Sequence, residues 1–429
     1  MEYKALVCNL PITESKLTKL EKSLPPLGLG YICSELQKNG YITQLIDAYN
    51  LNLSSDEVIK IIDYQNPDFV IMNVFSINRY IAFDIILKLS QNPTIILGGG
   101  VRGLDFSNLE VPNKVIIIEG EGELLIPALL KSNKTDKFQH YIINEQSHYF
   151  PQNLSELILD HRFFINDPQI NKAGKMESYM IYSRGCIYSC TFCGSSARMT
   201  QLKRRTRDIW SLRSELNLLL PTVEHIRFLD DLLIDNSQDI SNITQVMSQT
   251  SKTWSGMISI LSVKKASDQE LVNLFCSGCT ELYLGIESGS EKTLRLFNKY
   301  SDIEGIITNI IRLLKIGINV KIFLIIGAYE ENVTDLQKTL SLAQRLVSMN
   351  YTGRVRFSPF VYKAYEGTEL YNKIRMRENS RFFSPSLNKG IETDKNDRSQ
   401  FNMINGNFSN CTYEEINHYI NQILKLNYL

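Results

Sequence analysis

An excess of charge of either sign is missing from this chain of 429 residues, in which lysine plus arginine and aspartate plus glutamate number 46 each. Polyanionic partners, nucleic acid or an acidic membrane surface, are drawn by clustered basic residues, so this balance gives no case for either. Long apolar runs are missing as well: nowhere do 18 consecutive apolar residues occur, and no membrane span is expected. Cysteine is sparse at eight residues, far too few for a disulfide scaffold. Histidine is sparser still, with only His140, His148, His161, His225 and His418, none of them in the first 135 residues. The segment Met1 to Val7 runs straight into an apolar strand, with no basic stretch ahead of a hydrophobic one. That argues against a signal peptide and for a soluble, cytoplasmic protein. What remains is ordinary globular material: 43% of residues are apolar, and the length admits two or three domains with sizeable cores.

Three of the cysteines crowd into Ser183-Arg184-Gly185-Cys186-Ile187-Tyr188-Ser189-Cys190-Thr191-Phe192-Cys193-Gly194. On a helix, Cys186, Cys190 and Cys193 would share one face and could be plain core residues. Gly185 and Gly194 bracket the run, however, and Ser189, Thr191 and the aromatics are poor helix formers, which favours a loop. Zinc would want a fourth ligand at a spacing the neighbourhood does not offer. Three thiolates are one short of the four that usually satisfy a cubane iron-sulfur cluster, which leaves one iron open to another ligand. Such a cluster demands a reducing interior.

This C-x3-C-x2-C run resembles the cluster-binding loop of the radical S-adenosylmethionine superfamily. The resemblance implies a 4Fe-4S cluster held by Cys186, Cys190 and Cys193, with S-adenosylmethionine chelated at the open iron and cleaved to a 5'-deoxyadenosyl radical. It also implies an electron donor such as flavodoxin or ferredoxin, and it places Phe192 against the adenosyl group.

Residues 1–135 alternate apolar strands (Lys4 to Cys8, Ile42 to Asp47, Phe69 to Val74, Thr94 to Leu97, Val115 to Ile118) with amphipathic helices. That pattern predicts a doubly wound parallel sheet, a Rossmann-like domain whose ligands lie beyond the carboxyl ends of the strands. Gly98, Gly99 and Gly100 follow one strand and Gly120, Glu121, Gly122 and Glu123 another; alone, such glycines are as compatible with turns as with ligand loops. The stretch Pro25 to Tyr31 is only half a dinucleotide fingerprint, since Cys33 stands where a third glycine belongs, and NAD is not expected. Taken together, Pro25 to Gly30, Ser76, Gly98 to Gly100 and Gly120 to Glu123 resemble the cobalamin-binding domain that precedes the radical core in one subgroup of the superfamily. On that resemblance Ser76, Gly98, Gly99, Gly100, Gly120 and Glu121 are the cobalamin contacts. The Asp-x-His-x-x-Gly signature, whose histidine ligates cobalt, has no match. Either cobalamin binds without that ligand, or the fold is kept and the cofactor lost.

Residues 136–175 read as a polar linker. From 176 to 375 the alternation resumes, with strands at Tyr179 to Ser183, His225 to Leu229, Gly256 to Ile260, Glu281 to Ile286, Val320 to Ile326 and Val355 to Pro359. Six β/α units in succession suggest a partial barrel with its active residues at the carboxyl ends of the strands. The overall class is therefore α/β: a Rossmann-like cobalamin-binding-type domain, a partial (β/α)6 barrel and a small, mostly helical extension over 376–429.

At those strand ends stand Asp230 and Asp231, which could cap a helix; the resemblance puts them near the methionine ammonium. Gly285 to Ser290 resembles the ribose and methionine contact region, with Glu287 and Ser288 as acceptors, although Ser288 or Ser290 could also cap the following helix. Gly327 resembles an adenine-side contact, less securely because Ala328 replaces the proline that family members usually carry. The basic run Lys203, Arg204, Arg205 and Arg207 reads as a solvated face. Cys276 and Cys279 read as packing rather than a redox pair, and Cys8, Cys33 and Cys411 as structural. With two cysteines, the N-terminal domain lacks the three that the second cluster of a methylthiotransferase would need.

The function these readings imply is a cobalamin-dependent radical S-adenosylmethionine enzyme that methylates an unactivated carbon of a natural product, peptide or lipid. Two alternatives stay open. One is radical chemistry without methyl transfer, such as cyclisation, rearrangement or epimerisation; the other is a non-catalytic iron-sulfur binding or regulatory protein.

Overall fold

The computed structural model describes residues 3–12, 24–75, 78–100, 111–131, 138–164, 169–170, 174–348, 350–365, 367–377, 403–404 and 407–428. The chain divides into two compact units: one holds residues 1–168 and 214–219, the other 169–213, 220–390 and 403–429.

In the first unit the chain runs β1 (Lys4–Asn9), α1 (Leu27–Lys38), β2 (Ile42–Asp47), α2 (Ser55–Gln65), β3 (Phe69–Val74), α3 (Arg79–Lys88), β4 (Thr94–Gly99), β5 (Val115–Glu119), α4 (Leu125–Lys131) and β6 (Phe138–Ile142). The strands form one parallel sheet in the order β2-β1-β3-β4-β5-β6. Its inner strands are unbroken apolar runs because parallel strands are covered on both faces; Ala5 to Cys8 and Val115 to Ile118 are buried throughout. Helix α2 starts at a capping box in which Ser54 and Glu57 satisfy each other's backbone N–H. The chain order reverses between β1 and β3, and in sheets of this kind the ligand crevice opens at such a reversal.

Strand β6 corrects the reading of 136–175 as a linker. Phe138–Ile142 pairs with β5 from Val115↔Phe138 to Glu119↔Ile142. Its polar residues Gln139 and His140 hid it from an apolar pattern, as an edge strand needs only one apolar face. The first unit therefore contains His140, His148 and His161.

The second unit follows with β7 (Gln169–Ile170), β8 (Met176–Met180), β9 (Ser183–Arg184), α5 (Ala197–Thr200), β10 (Arg205–Thr206), α6 (Ile209–Leu216, whose last residues belong to the first unit), β11 (His225–Phe228), α7 (Ser237–Met247), β12 (Thr253–Met257), α8 (Ile260–Lys265), α9 (Asp268–Cys276) and β13 (Cys279–Glu287). It continues through α10 (Glu291–Leu296), α11 (Ile303–Ile316), β14 (Asn319–Ile326), α12 (Val333–Val347), β15 (Val355–Val361), β16 (Ala364–Tyr365), α13 (Glu369–Arg377), β17 (Met403–Ile404) and α14 (Tyr413–Lys425). The sheet order β15-β14-β13-β12-β11-β8-β7 is parallel except for the short edge strand β7. Strands β8 and β15 do not pair with each other, so the six parallel strands form an open array. Helix α11 shows how the sequence builds the covering layer: Ile306, Ile307, Ile310, Leu313 and Leu314 recur at helical spacing and are buried, Asp302 caps the start through Gly305 N–H, and Gly317 ends it at φ +105°.

Two strands lie three residues earlier than their apolar runs suggest. Strand β12 ends at Met257 because Ser259 caps α8, accepting from Leu261 N–H, so Ile260 starts the helix. Strand β8 ends at Met180 because Ser183 leaves the sheet to pair with Thr206 of β10.

Candidate functional site

The cysteine loop leaves β8 and is pinned at both ends. At its start the Asp230 carboxylate, on the turn after β11, accepts from Tyr182 N–H at 3.2 Å, from Ser183 N–H, and from the Ser183 hydroxyl at 2.7 Å. Asp230 is 6% exposed, and burial pushes its carboxyl up to about 6 against those hydrogen bonds. Gly185 follows at φ +85°, a left-handed turn that suits glycine. At the far side, three hydrogen bonds tie the loop to the end of α10: Thr191 N–H to Phe297 O (3.2 Å), Thr191 Oγ1 to Leu296 O (2.7 Å) and Asn298 Nδ2 to Ser189 O (3.0 Å). They bracket Cys190 on both sides.

Within this frame Cys186, Cys190 and Cys193 are half-buried free thiols. Burial raises all three, Cys193 to about 12, while Lys299 opposes the rise at Cys186 and Cys190. Lys299 is the residue that sequence reasoning missed. Its ammonium is 3.1 Å from Glu287 Oε1 and donates to Gly285 O at 2.6 Å. Burial lowers Lys299, but the charges of Glu287 and of Cys190 outweigh it, and the net direction is up. Asp231 accepts from the Ser195 side chain and from Gly185 N–H, and its charge is felt at Cys186 and Cys193. The structure thus gathers three thiols, two carboxylates and one ammonium.

Among the described residues no three such side chains converge closely enough to hold a single ion. A cubane asks for a different arrangement, one sulfur at each of three iron corners, and three desolvated thiols spread along one pinned loop with an adjacent cation meet it. Thiolate ligation of the metal would release the protons that burial now retains.

The other expected contacts are placed as follows. Phe192 packs on Phe297, ring centroids 4.6 Å apart, at the edge of an apolar cluster that includes Tyr362, Tyr371 and Phe408. Ser288 is fully buried, its hydroxyl 3.0 Å from Thr339 Oγ1 on α12. Ser290 donates to Asp335 Oδ1 at 2.6 Å and does not cap α10. Gly327 has φ +78°, and a Cβ there would meet Ile416 Cδ1 at 2.9 Å. In the first unit, a Cβ on Gly100 would meet Phe75 Cδ1 and one on Gly120 would meet Ile143 O, each at 2.4 Å, so the chain's own packing requires both glycines. Gly99 is left-handed at φ +89°, whereas Gly98 has only Ile118 O near, at 3.7 Å. Glu121 follows Gly120 in the turn after β5 and is half-buried. Ser76 lies outside the described residues.

The basic run is not a solvated face. Arg204 pairs with Asp239 at 2.9 Å and donates to Leu232 O and Leu233 O; Arg207 is 2% exposed and donates to Ser211 and to Ile181 O. Both guanidiniums brace the loop's surroundings. Free backbone carbonyls, invisible in a sequence, drew them in. Cys276 and Cys279 are free, the first exposed and the second buried at the start of β13.

An open array of parallel β/α units with a three-cysteine loop after its first long strand is the architecture of a radical S-adenosylmethionine core. Residues 180–343 match the family model described as the Radical SAM superfamily. The chain therefore carries a radical S-adenosylmethionine domain over those residues, and its fold is similar to that of cobalamin-dependent enzymes of that superfamily. It is 26% identical over 394 residues to an uncharacterized methyltransferase of Pyrococcus horikoshii, covering 86% of this chain and 83% of the relative. To the cytidylyl-2-hydroxyethylphosphonate methyltransferase of Streptomyces wedmorensis it is 24% identical, covering 70% of this chain and 68% of the relative. The structure of the cobalamin-dependent S-adenosylmethionine radical enzyme OxsB with aqua-cobalamin and S-adenosylmethionine bound superposes with a TM-score of 0.71 at 17% identity. That likeness covers 97% of this chain and 66% of OxsB, and speaks for the fold. No helix among the described residues is long and apolar enough to cross a membrane.

Proposed function

We propose that the chain is a cobalamin-dependent radical S-adenosylmethionine methyltransferase that adds a methyl group to an unactivated carbon of a small molecule, peptide or lipid. The observation that carries this reading is the pinned loop presenting Cys186, Cys190 and Cys193 beside Lys299, Glu287 and Asp231 within a radical S-adenosylmethionine domain. The three cysteines would hold a 4Fe-4S cluster. Bound together, cluster and S-adenosylmethionine would supply a carbon-centred radical, and cobalamin would supply a transferable methyl.

The chain's own groups have distinct tasks in this reading. Asp231, which also accepts from Ser195 and Gly185, and Glu287, which is paired with Lys299, are the carboxylates beside the thiols and would accept from the ammonium and hydroxyls of S-adenosylmethionine. Asp230 and Ser288, both buried on backbone or side-chain partners, position the loop and the β13 turn rather than touch a ligand. Phe192 offers a ring face to the adenosyl group, backed by Phe297. Cobalamin would lie over the carboxyl ends of the first sheet, where, among the described residues, a Cβ on Gly98 would meet only Ile118 O, at 3.7 Å. An external one-electron donor is required, and a reducing cytoplasm suits both cofactors.

Anaerobic reconstitution tests this. The expected product is protein with iron and sulfide in the cubane ratio, which binds cobalamin and, once reduced, converts S-adenosylmethionine to 5'-deoxyadenosine and S-adenosylhomocysteine. 5'-Deoxyadenosine without S-adenosylhomocysteine would keep radical chemistry and remove methyl transfer. Neither product, in the presence of cell extract as a substrate source, would reduce the chain to a binding protein.

A further inference from the structure

Resting on the proposed function, we infer that the substrate is an acid, a small molecule with an apolar body and a carboxylate or phosphate group, held on the inner face of the second unit's sheet. The strand registers give that sheet two unlike faces. On one face Ile226, Trp254, Leu282 and Ile322 are buried. On the other stand Arg227, Tyr283, Lys321 and Phe323, together with Glu177 and Glu281. Burial alternates residue by residue along β14, and only the apolar side of that strand is sealed. Closed parallel barrels fill their interior with branched apolar side chains; this open array lines it with charges and rings. The rings form a ladder, Tyr283 to Phe323 at 6.3 Å and Phe323 to Phe360 at 5.9 Å between centroids. Phe360 ends the ladder 54% exposed, so the face has apolar area to offer a ligand.

The charges on this face decide the sign of the ligand. Below Glu287 and its partner Lys299, three cations, Arg227, Lys321 and Arg356, meet two carboxylates, Glu177 and Glu281. Glu281 is taken by Arg356, whose guanidinium donates to both carboxylate oxygens. Glu177 accepts from the Tyr179 hydroxyl and stands 3.8 Å from Arg227 Nη1, beyond hydrogen-bond reach. Arg227 is left with its Nε buried and without a hydrogen-bond partner among the described residues. A desolvated guanidinium N–H costs stability until something accepts from it, and the arginine fork matches a carboxylate or a phosphate. Arg227 from β11 and Lys321 from β14 converge on one ring, 5.1 and 5.7 Å from the centroid of Tyr283. An anion seated over that ring meets both cations. Tyr283 precedes Glu287 by four residues on β13, about 13 Å at the rise of a strand. An acid anchored at Arg227 therefore extends its other end toward Glu287, Lys299 and the thiols.

Binding of three probes to the cluster-free full chain tests this by ligand-observed nuclear magnetic resonance. Phenylacetate, phenyl phosphate and 2-phenylethanol share a ring and differ in the end group. At least one of the two anions should bind about tenfold tighter than the alcohol, and Arg227→Gln should erase most of that difference. Tighter phenyl phosphate assigns a phosphorylated substrate, and tighter phenylacetate a carboxylic acid. Should Arg227→Gln fail to fold by circular dichroism, Lys321→Gln takes its place and must also weaken the anion. Equal affinity for the alcohol and both anions overturns the inference, as does an anion preference that survives in a folded Arg227→Gln, or no binding of any probe. The inference and the proposed function fail separately. Reconstituted protein that cleaves no S-adenosylmethionine but keeps the anion preference loses the methyltransferase reading and retains the acid site; cleavage without any anion preference does the reverse.

Discussion

Lys299 and Glu287 are the residues on which the site's electrostatics turn. Glu287 holds φ +72°, a left-handed conformation uncommon for a side chain of its size, at the point where the register of β13 against β14 shifts after Gly285. A Cβ on Gly285 would stand 2.4 Å from Glu287 Oε1, so a larger residue there would displace that carboxylate. The strained turn aims a buried carboxylate at a buried ammonium, and each makes the other tolerable. Lys299→Met leaves Glu287 without its counter-charge and should lower stability by about 3 kcal/mol, as expected when one member of a buried pair is removed; urea unfolding of the cluster-free chain measures it, and Lys299→Arg should recover part of the loss. Cys190→Ala, by contrast, should leave the circular dichroism of the chain unchanged and abolish the broad band at about 400 nm after reconstitution. Retention of that band would remove Cys190 from the ligand set. The cysteines were legible in the sequence because their spacing is itself the signal. Lys299 was not: a single lysine twelve positions after Glu287 carries no pattern, and only the docking of the α10 end onto the loop makes it a neighbour of sulfur.

Among elements, the C-terminal helix α14 (Tyr413–Lys425) falls within the extension that reads as mostly helical, yet its task was hidden, because nothing in a sequence says what an amphipathic face covers. Ile416 packs beneath Gly327, Asn410 N–H donates to Glu331 O at 2.8 Å, and Asn427 exchanges two hydrogen bonds with the backbone of Phe357 on edge strand β15. The extension therefore closes a sheet edge, which would otherwise offer unpaired backbone groups, and holds the turn after β14. Gly327→Ala should cost about 3 kcal/mol, part from φ +78° and part from the clash with Ile416. Adding Ile416→Ala should recover the clash but not the backbone cost, so the two changes combine non-additively in a double-mutant cycle; simple additivity would mean that they do not touch. Strands β11 and β12 carry a pH-dependent element. His225 donates or accepts between Thr253 Oγ1 (2.8 Å) and Ser255 Oγ (2.9 Å), and burial, with help from Lys175 and Arg227, lowers it to about 4. Glu177, 3.8 Å from Nε2, does not keep the ring charged. A depressed folded-state value means stability that is present above the unfolded value of about 6.5 and lost as pH falls through about 4. That window is worth about 3 kcal/mol. Denaturant midpoints of His225→Gln should fall less over this range than those of the unmodified chain; parallel declines would place the titrating group elsewhere.

At the scale of the whole molecule, the proposed cobalamin site falls to the first unit, and that unit's histidines set a limit on how cobalt would be held. The crevice of this sheet lies beyond the carboxyl ends of β1 and β3, where the chain order reverses. His140 sits on β6, at the opposite edge of the sheet, opposite Ile117 and two positions short of the end of β5, with Nε2 2.9 Å from Glu119 Oε1. His161 lies 3.2 Å from Glu215, and His148 stacks edge-on against Tyr149. None of the three follows β1 or β3. Instead, Asn9, Asp47 and Asn73 knit the ends of β1, β2 and β3 together, with Asn9 Nδ2 2.6 Å from Asp47 and Asn73 Nδ2 2.7 Å from Asn9. Carboxamides and a carboxylate in that network offer no imidazole to a metal. Cobalamin bound to the full chain should therefore carry no protein nitrogen below the cobalt, and at a hundredfold excess over its dissociation constant it should still stabilise the protein by about 2.7 kcal/mol through mass action. Electron paramagnetic resonance of the cob(II)alamin form is the discriminating measurement: single cobalt lines, unchanged in His140→Ala, are expected. A threefold nitrogen splitting that disappears in that variant would mean that His140 reaches the metal after all, and that the ligand sits over β6 rather than at the reversal between β1 and β3.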